Sequence, residues 1–181
     1  MERKCADQTE LIDKLKTRAI NAEAHGRRLN LIFIGISHDD GEDVVAKVRE
    51  FMVNQLEMNK EWVDSLRFRD VHRLGVNKGV HPIIVAFINQ VERNMVFKNA
   101  YKLKSTNYVI NVDLPYELAI EQGELLNIRK TIREENPSAL ASISYRSYKP
   151  VLLVKHDGSV QSYTSDMLIK DLQPGDRRRR T

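Results

Sequence analysis

The residues with the most chemical content lie between Leu66 and Leu74. Side chains of an extended strand alternate between faces. Leu66-Arg67-Phe68-Arg69-Asp70-Val71-His72-Arg73-Leu74 therefore sets Arg67, Arg69, Val71 and Arg73 on one face and Leu66 and Phe68 on the other. Guanidinium forks pair bidentately with phosphate and stack on bases. An arginine row on an open sheet face suits phosphates or single-stranded nucleic acid; a solvated face of unrelated charges is the plainer alternative. A second run, Tyr145-Arg146-Ser147-Tyr148-Lys149, interleaves basic and aromatic side chains that can hold phosphates and stack bases together. Its alternative reading is an amphipathic strand with one tyrosine buried.

Charge is distributed in blocks. The formal net charge is +4, which equals the four arginines Arg177, Arg178, Arg179 and Arg180, so the remainder is neutral. Residues 29–66 carry three basic and eight acidic side chains, whereas residues 67–115 carry eight basic and three acidic ones. Any electrostatic function must follow from that separation and not from the total. The tail reads either as a phosphate or import-factor contact or as an end with no role.

Other chemistries find no constellation. Asp39 and Asp40 follow the first strand where a polymerase-like palm holds metal ions, but Leu74-Gly75-Val76-Asn77-Lys78-Gly79 lacks the second set of carboxylates that such a palm needs. No phosphate-binding glycine loop, G-x-S-x-G elbow or H-E-x-x-H helix is present. His25, His38, His72, His81 and His156 are scattered, and the lone Cys5 can make no intrachain disulfide. The expectation is a protein without enzymatic activity, metal or cofactor, from a reducing compartment. The longest purely apolar run, Ile83–Ile88, is far short of the roughly 20 residues of a spanning helix, and Met1–Asp7 has no apolar h-region, so no secretory signal is expected.

These side chains must be positioned by regular elements. Residues 1–27 contain no proline, and Cys5, Ile12, Leu15, Ala19 and Ala22 recur at alternating a and d heptad positions, the seam of a coiled coil. Arg18-Ala19-Ile20-Asn21-Ala22-Glu23 fits the Arg-apolar-x-x-apolar-Glu pattern of parallel trimers, so Ile12, Leu15, Arg18, Ala19, Ala22 and Glu23 are the candidate oligomerisation residues. An amphipathic helix packed on its own domain is the alternative.

Beyond residue 28 the pattern predicts strands at Leu29–Ile36, Leu66–Leu74, Pro82–Ile88 and Tyr108–Val112, with helices at Val44–Glu57 and Val91–Lys104. That β-α-β-β-α-β order implies a ferredoxin-like sheet with both helices on one face. After Pro115 come a helix over Tyr116–Asn136, strands at Ile143–Tyr148, Val151–Lys155 and Val160–Tyr163, a turn at Asp157-Gly158 and a short helix from Thr164-Ser165-Asp166-Met167. The fold class is α+β, divided as coiled-coil segment 1–27, RNA-recognition-like domain 28–115, C-terminal domain 116–176 and basic tail 177–181. RNA-recognition domains stack bases on aromatics of their first and third strands. Phe33 fills the first-strand place, while Pro82 and Ile84 fall at the third-strand places, so affinity is expected to rest on arginines.

Arg27-Arg28-Leu29-Asn30-Leu31-Ile32-Phe33-Ile34-Gly35-Ile36, His72-Arg73-Leu74-Gly75, Pro82-Ile83-Ile84-Val85 and Asp157-Gly158-Ser159-Val160-Gln161-Ser162-Tyr163-Thr164 together resemble the first-open-reading-frame protein of LINE-type retrotransposons. The resemblance spans nearly the whole chain in family order. It implies a homotrimer that binds single-stranded RNA with little sequence preference, acts as a nucleic-acid chaperone and packages its transcript into a cytoplasmic ribonucleoprotein, with the nucleus as a second compartment. Single-stranded DNA is a second candidate ligand. By position the resemblance favours Asn30, Arg73 and Tyr148 as RNA contacts. It departs from the family at Ile32, where a basic residue is frequent, and at Gln122-Gly123, where the family tends to carry arginine. The full candidate set is Arg27, Arg28, Asn30, Phe33, Arg67, Arg69, Arg73, Lys102, Lys104, Arg129, Arg133, Tyr145, Arg146, Tyr148 and Lys149. The competing class is a coiled-coil scaffold whose folded part binds protein.

Overall fold

A computed structural model describes residues 2–76, 79–156, 159–165 and 167. The expected Asp157-Gly158 turn, most of the expected final helix and the Arg177–Arg180 tail lie outside the described residues. The protein is a mixed α+β chain with two antiparallel sheets. It divides into two compact units, Gly26–Asp113 and a second made of Met1–His25 with Leu114–Thr181.

In the unit Gly26–Asp113 the elements are β1 (Asn30–Ile34), α2 (Val44–Asn54), α3 (Lys60–Ser65), β2 (Phe68–Arg73), β3 (Ile83–Phe87), α4 (Gln90–Asn99), a 3-10 turn (Ala100–Leu103) and β4 (Val109–Val112). The strands form one sheet in the order β2-β3-β1-β4, each neighbour antiparallel. Leu31 and Phe33 of β1, Ile83, Val85 and Phe87 of β3 and Ile110 of β4 face a core closed by Val48, Phe51 and Met52 of α2, Val63 of α3 and Val96 of α4. Gly35 ends β1 at φ +97°, and a Cβ there would lie 2.6 Å from the Asn107 carbonyl oxygen, so only glycine fits this crossing.

Two helix boundaries differ from the expected ones for local reasons. α2 stops at Asn54, and beyond it Glu57 turns left-handed (φ 49°) while the Met58 N–H reaches six positions back to the Met52 carbonyl at 3.2 Å, folding the chain over the helix end. α3 was not expected. It has six residues, too few for a period, and begins because the Asn59 side chain accepts the Trp62 N–H at 2.8 Å.

In the other unit, α5 (Tyr116–Glu135) packs Leu125, Ile128 and Ile132 on a sheet of β5 (Leu140–Arg146), β6 (Lys149–His156) and β7 (Ser159–Tyr163), in that order. Ala141, Ile143, Leu152, Val154 and Tyr163 supply the sheet side of this core. α1 (Glu2–Arg27) is a continuous helix. Its Ile12 and Leu15 are 50% and 54% exposed, and Leu11 beside them 57%. No helix among the described residues is long and apolar enough to cross a membrane.

Candidate nucleic-acid interface

The arginine row of β2 does not form. The register against β3 slips between Phe68, opposite Phe87, and Asp70, opposite Ala86, leaving Arg69 as the extra residue of a β-bulge. One inserted residue inverts the alternation beyond it. Val71 and Arg73 therefore sit opposite Val85 and Ile83 on the helix-packed face, while Asp70 and His72 take the opposite one.

Arg73 consequently works inward. Its Nε donates to Glu42 Oε1 at 2.7 Å, and its two terminal nitrogens donate to the Ile36, Ser37 and His81 carbonyls at 2.5–2.9 Å. Glu42 also meets Lys47 at 2.7 Å. The Arg73 hydrogen bond, aided by Lys47 and opposed by burial, holds the Glu42 carboxyl well below the usual carboxylate range. Arg73, expected as an RNA contact, is here a half-buried cation that ties the loop after β1 to β2.

Other members of the candidate set are likewise consumed. Phe33 has no exposed surface; its ring meets Phe51 edge-on at 5.7 Å in the core, so it offers no stacking platform. Lys102 lies on the helix side, 3.1 Å from Glu57 and donating to the Leu56 carbonyl. Asn30 donates to Asp113 Oδ2 at 2.9 Å and accepts from Arg69 at 3.3 Å. Arg27 pairs with Asp113 Oδ1 at 2.9 Å. Arg69 reaches Asn30 across the small Ala86, which separates them in the sheet. The result is a polar chain, Arg27–Asp113–Asn30–Arg69, that joins the ends of three strands. Arg28 is half-buried, and Arg67 and Lys104 are exposed, Arg67 one residue before β2.

The second sheet arranges its charge differently. Tyr145 stands opposite Pro150 on the α5 side, half-buried, and its hydroxyl accepts from Gln122 at 2.6 Å. Arg129 and Arg133 also lie on α5. Arg133 donates to the Ala141 carbonyl at 2.7 Å, and burial followed by the neighbouring Arg133 pushes Arg129 below the ordinary arginine range.

The opposite face carries Arg146 and Lys149 directly across from one another, and Lys155 farther along β6. All three are exposed. Their neighbours on that face are Ser142, Ser144, Ser162, Leu140, Val151, Leu153 and Val160, with no carboxylate among the described residues. Like charges directly opposite on a sheet repel. A bound anion removes that repulsion. The Ser162 hydroxyl accepts from Arg146 at 3.2 Å and fixes the guanidinium on this face.

The hairpin tip is strained. β5 and β6 join through only Ser147 and Tyr148, at φ 47° and 69°. Two left-handed residues in a row define the turn that matches strand twist, a place that Asn-Gly fills at least cost. A tyrosine held there is costly and marks an over-determined position. Its ring meets His25 of α1 edge-on at 5.5 Å. The expected strand ends, Tyr148 and Val151, placed the turn two residues too late because neither Ser147 nor Tyr148 signals one. Lys155 was missed for the same reason, since its face is assigned only once the register is known.

Among the described residues, no group of three or more His, Cys, Asp or Glu side chains is arranged to hold a metal ion. No family model matches the chain, and no curated protein is similar to it.

Proposed function

We propose that this chain is a non-enzymatic protein that binds single-stranded RNA, and single-stranded DNA by the same contacts, through the face of its second sheet. The observation that carries this reading is the trio Arg146, Lys149 and Lys155 on one face, with no carboxylate among the described residues there, beside the strained Tyr148. Phosphates pair with the cations, the serine hydroxyls supply further donors, and Tyr148 offers a ring for a base. Contacts of this kind read backbone charge and not sequence.

The exposed a and d residues of α1, Ile12 and Leu15 with Ala19 and Ala22, support association of three copies through that helix. Three linked sites raise effective concentration, so modest single-site affinity becomes tight yet exchangeable binding along a strand. Nucleic-acid chaperoning and packaging of a retrotransposon transcript in a cytoplasmic ribonucleoprotein follow from the resemblance to the LINE-type proteins.

The test is a titration of fluorescent single-stranded RNA at several salt concentrations. Affinity that falls steeply with salt and varies little with sequence is expected. Absent or salt-independent binding overturns the reading in favour of a protein-binding scaffold. Sedimentation at micromolar concentration tests the trimer, and a monomer there contradicts it.

A further inference from the structure

β2 is an outer strand, with β3 its one partner among the described residues. A groove of about 570 Å³ runs beside it, lined by every residue from Leu66 to Val71, by Val45 and Arg49 of α2, and by Ile88. Consecutive strand residues point to opposite faces, so a groove that touches six in succession follows the outer edge of the strand and not either face. Along such an edge the backbone N–H and C=O groups are the natural ligands of another strand.

The groove is apolar at its base and cationic at its rim. Leu66, Phe68 and Val71 are buried or half-buried, and Ile88 is 58% exposed beside them. Arg49 donates to the Val63 carbonyl and, at 2.7 Å, to the Leu66 carbonyl, and lies over the Phe68 ring at 5.2 Å. It is a fixed cation answered by carbonyl oxygens. Among the described residues no carboxylate pairs with Arg49, Arg67 or Arg69. The one acid in the lining, Asp70, lies 2.8 Å from His72 Nδ1 on the face opposite the helices.

We propose that the β2 edge docks an extended acidic segment of a partner protein by strand addition. The partner's backbone pairs with the edge, its alternate apolar side chains rest on Phe68, Val71 and Ile88, and its carboxylates meet Arg67 and Arg69. The bulge at Arg69 twists the edge and limits the partner to a short segment. A second copy of β2 is a poor occupant, because antiparallel self-pairing sets arginine near arginine. Nucleic acid is a poor occupant too, since the Phe68 ring is already covered and an apolar floor gains nothing from phosphate. The site shares no residue with the second-sheet face, so either reading can fail alone.

The experiment uses the full chain and a fluorescent peptide, Glu-Val-Glu-Val-Glu-Val-Glu, with binding read by anisotropy and mapped by backbone amide shifts. Saturable binding is expected, with shifts concentrated at residues 67–71. A peptide with lysine for glutamate, and one with proline at the central valine, should each bind at least about tenfold more weakly. Ile88→Glu should weaken the acidic peptide by about fivefold or more and leave RNA affinity unchanged. No saturable binding at millimolar peptide, equal binding of the lysine peptide, or shifts confined elsewhere overturns the proposal. So does a single-stranded RNA oligonucleotide that shifts the amides of 67–71.

Discussion

The two sheets treat their cations in opposite ways. In the first, Arg73 is answered by Glu42 and three backbone carbonyls, Arg27 by Asp113, and Lys47 by Asp39 and Glu42. That charge is spent on holding the fold. In the second, Arg146, Lys149 and Lys155 share a face with no carboxylate among the described residues, and two of them stand directly opposite each other. In residues 67–115, eight basic against three acidic, the charge of Arg73 is thus taken up by the fold, while Arg67 and Arg69 stay exposed beside the strand edge. Register, and not count, decides which cations can meet a phosphate.

The comparison breaks most sharply at Arg73. Arg73→Ala leaves Glu42 buried without its main partner, and should cost about 3 kcal/mol in a urea unfolding curve. RNA affinity of the folded fraction should stay unchanged; a stable variant that loses RNA would move the site back to the first sheet. Lys155→Glu is the mirror case. It should weaken RNA by about tenfold, alike for all sequences, and flatten the salt dependence by about 0.7 in slope, with no change in the unfolding midpoint.

The strained tip gives a smaller effect that separates stability from binding. Ser147→Asn with Tyr148→Gly should raise stability by about 1 kcal/mol, because asparagine and glycine adopt these two left-handed positions at less cost than serine and tyrosine. The same variant loses the tyrosine ring, so RNA binding should weaken while the fold becomes firmer. The mildest test is acid. The Glu42 carboxyl is depressed in the folded state, so its contribution is complete above the ordinary carboxylate pKa of about 4.5 and is lost as pH falls below it. Glu42→Gln should flatten stability against pH in that acid range, as followed by thermal melting at a series of pH values.

How much of this could be read from the chain depends on the range of the deciding contact. The elements of both sheets were legible because Leu31 and Phe33, or Leu152 and Val154, carry their period locally. The two faces of β2 were not. Phe68-Arg69-Asp70 contains no residue that announces a bulge, and the slip is set by packing of Phe68 against Phe87, rings 5.4 Å apart. The fate of Arg73 depends on Glu42, 31 positions away, in a loop that also carries Asp39, Asp40 and Asp43. Only Asp43 among them caps, accepting the Ala46 N–H at 3.0 Å. Arg146 and Lys149 stand out in the sequence by their interleaving with tyrosines, but the places of the two tyrosines differ in a way the spacing does not reveal: Tyr145 is held by Gln122, and Tyr148 sits at the tip.

The most direct test of the central claim compares two charge reversals in one RNA titration series across salt. For Arg146→Glu with Lys149→Glu the account predicts weaker binding to every sequence and a slope of log affinity against log salt reduced by about 1.4, near 0.7 for each lost phosphate contact. Wild-type affinity and slope in that variant, with the loss appearing instead in Arg67→Glu with Arg69→Glu, would contradict it.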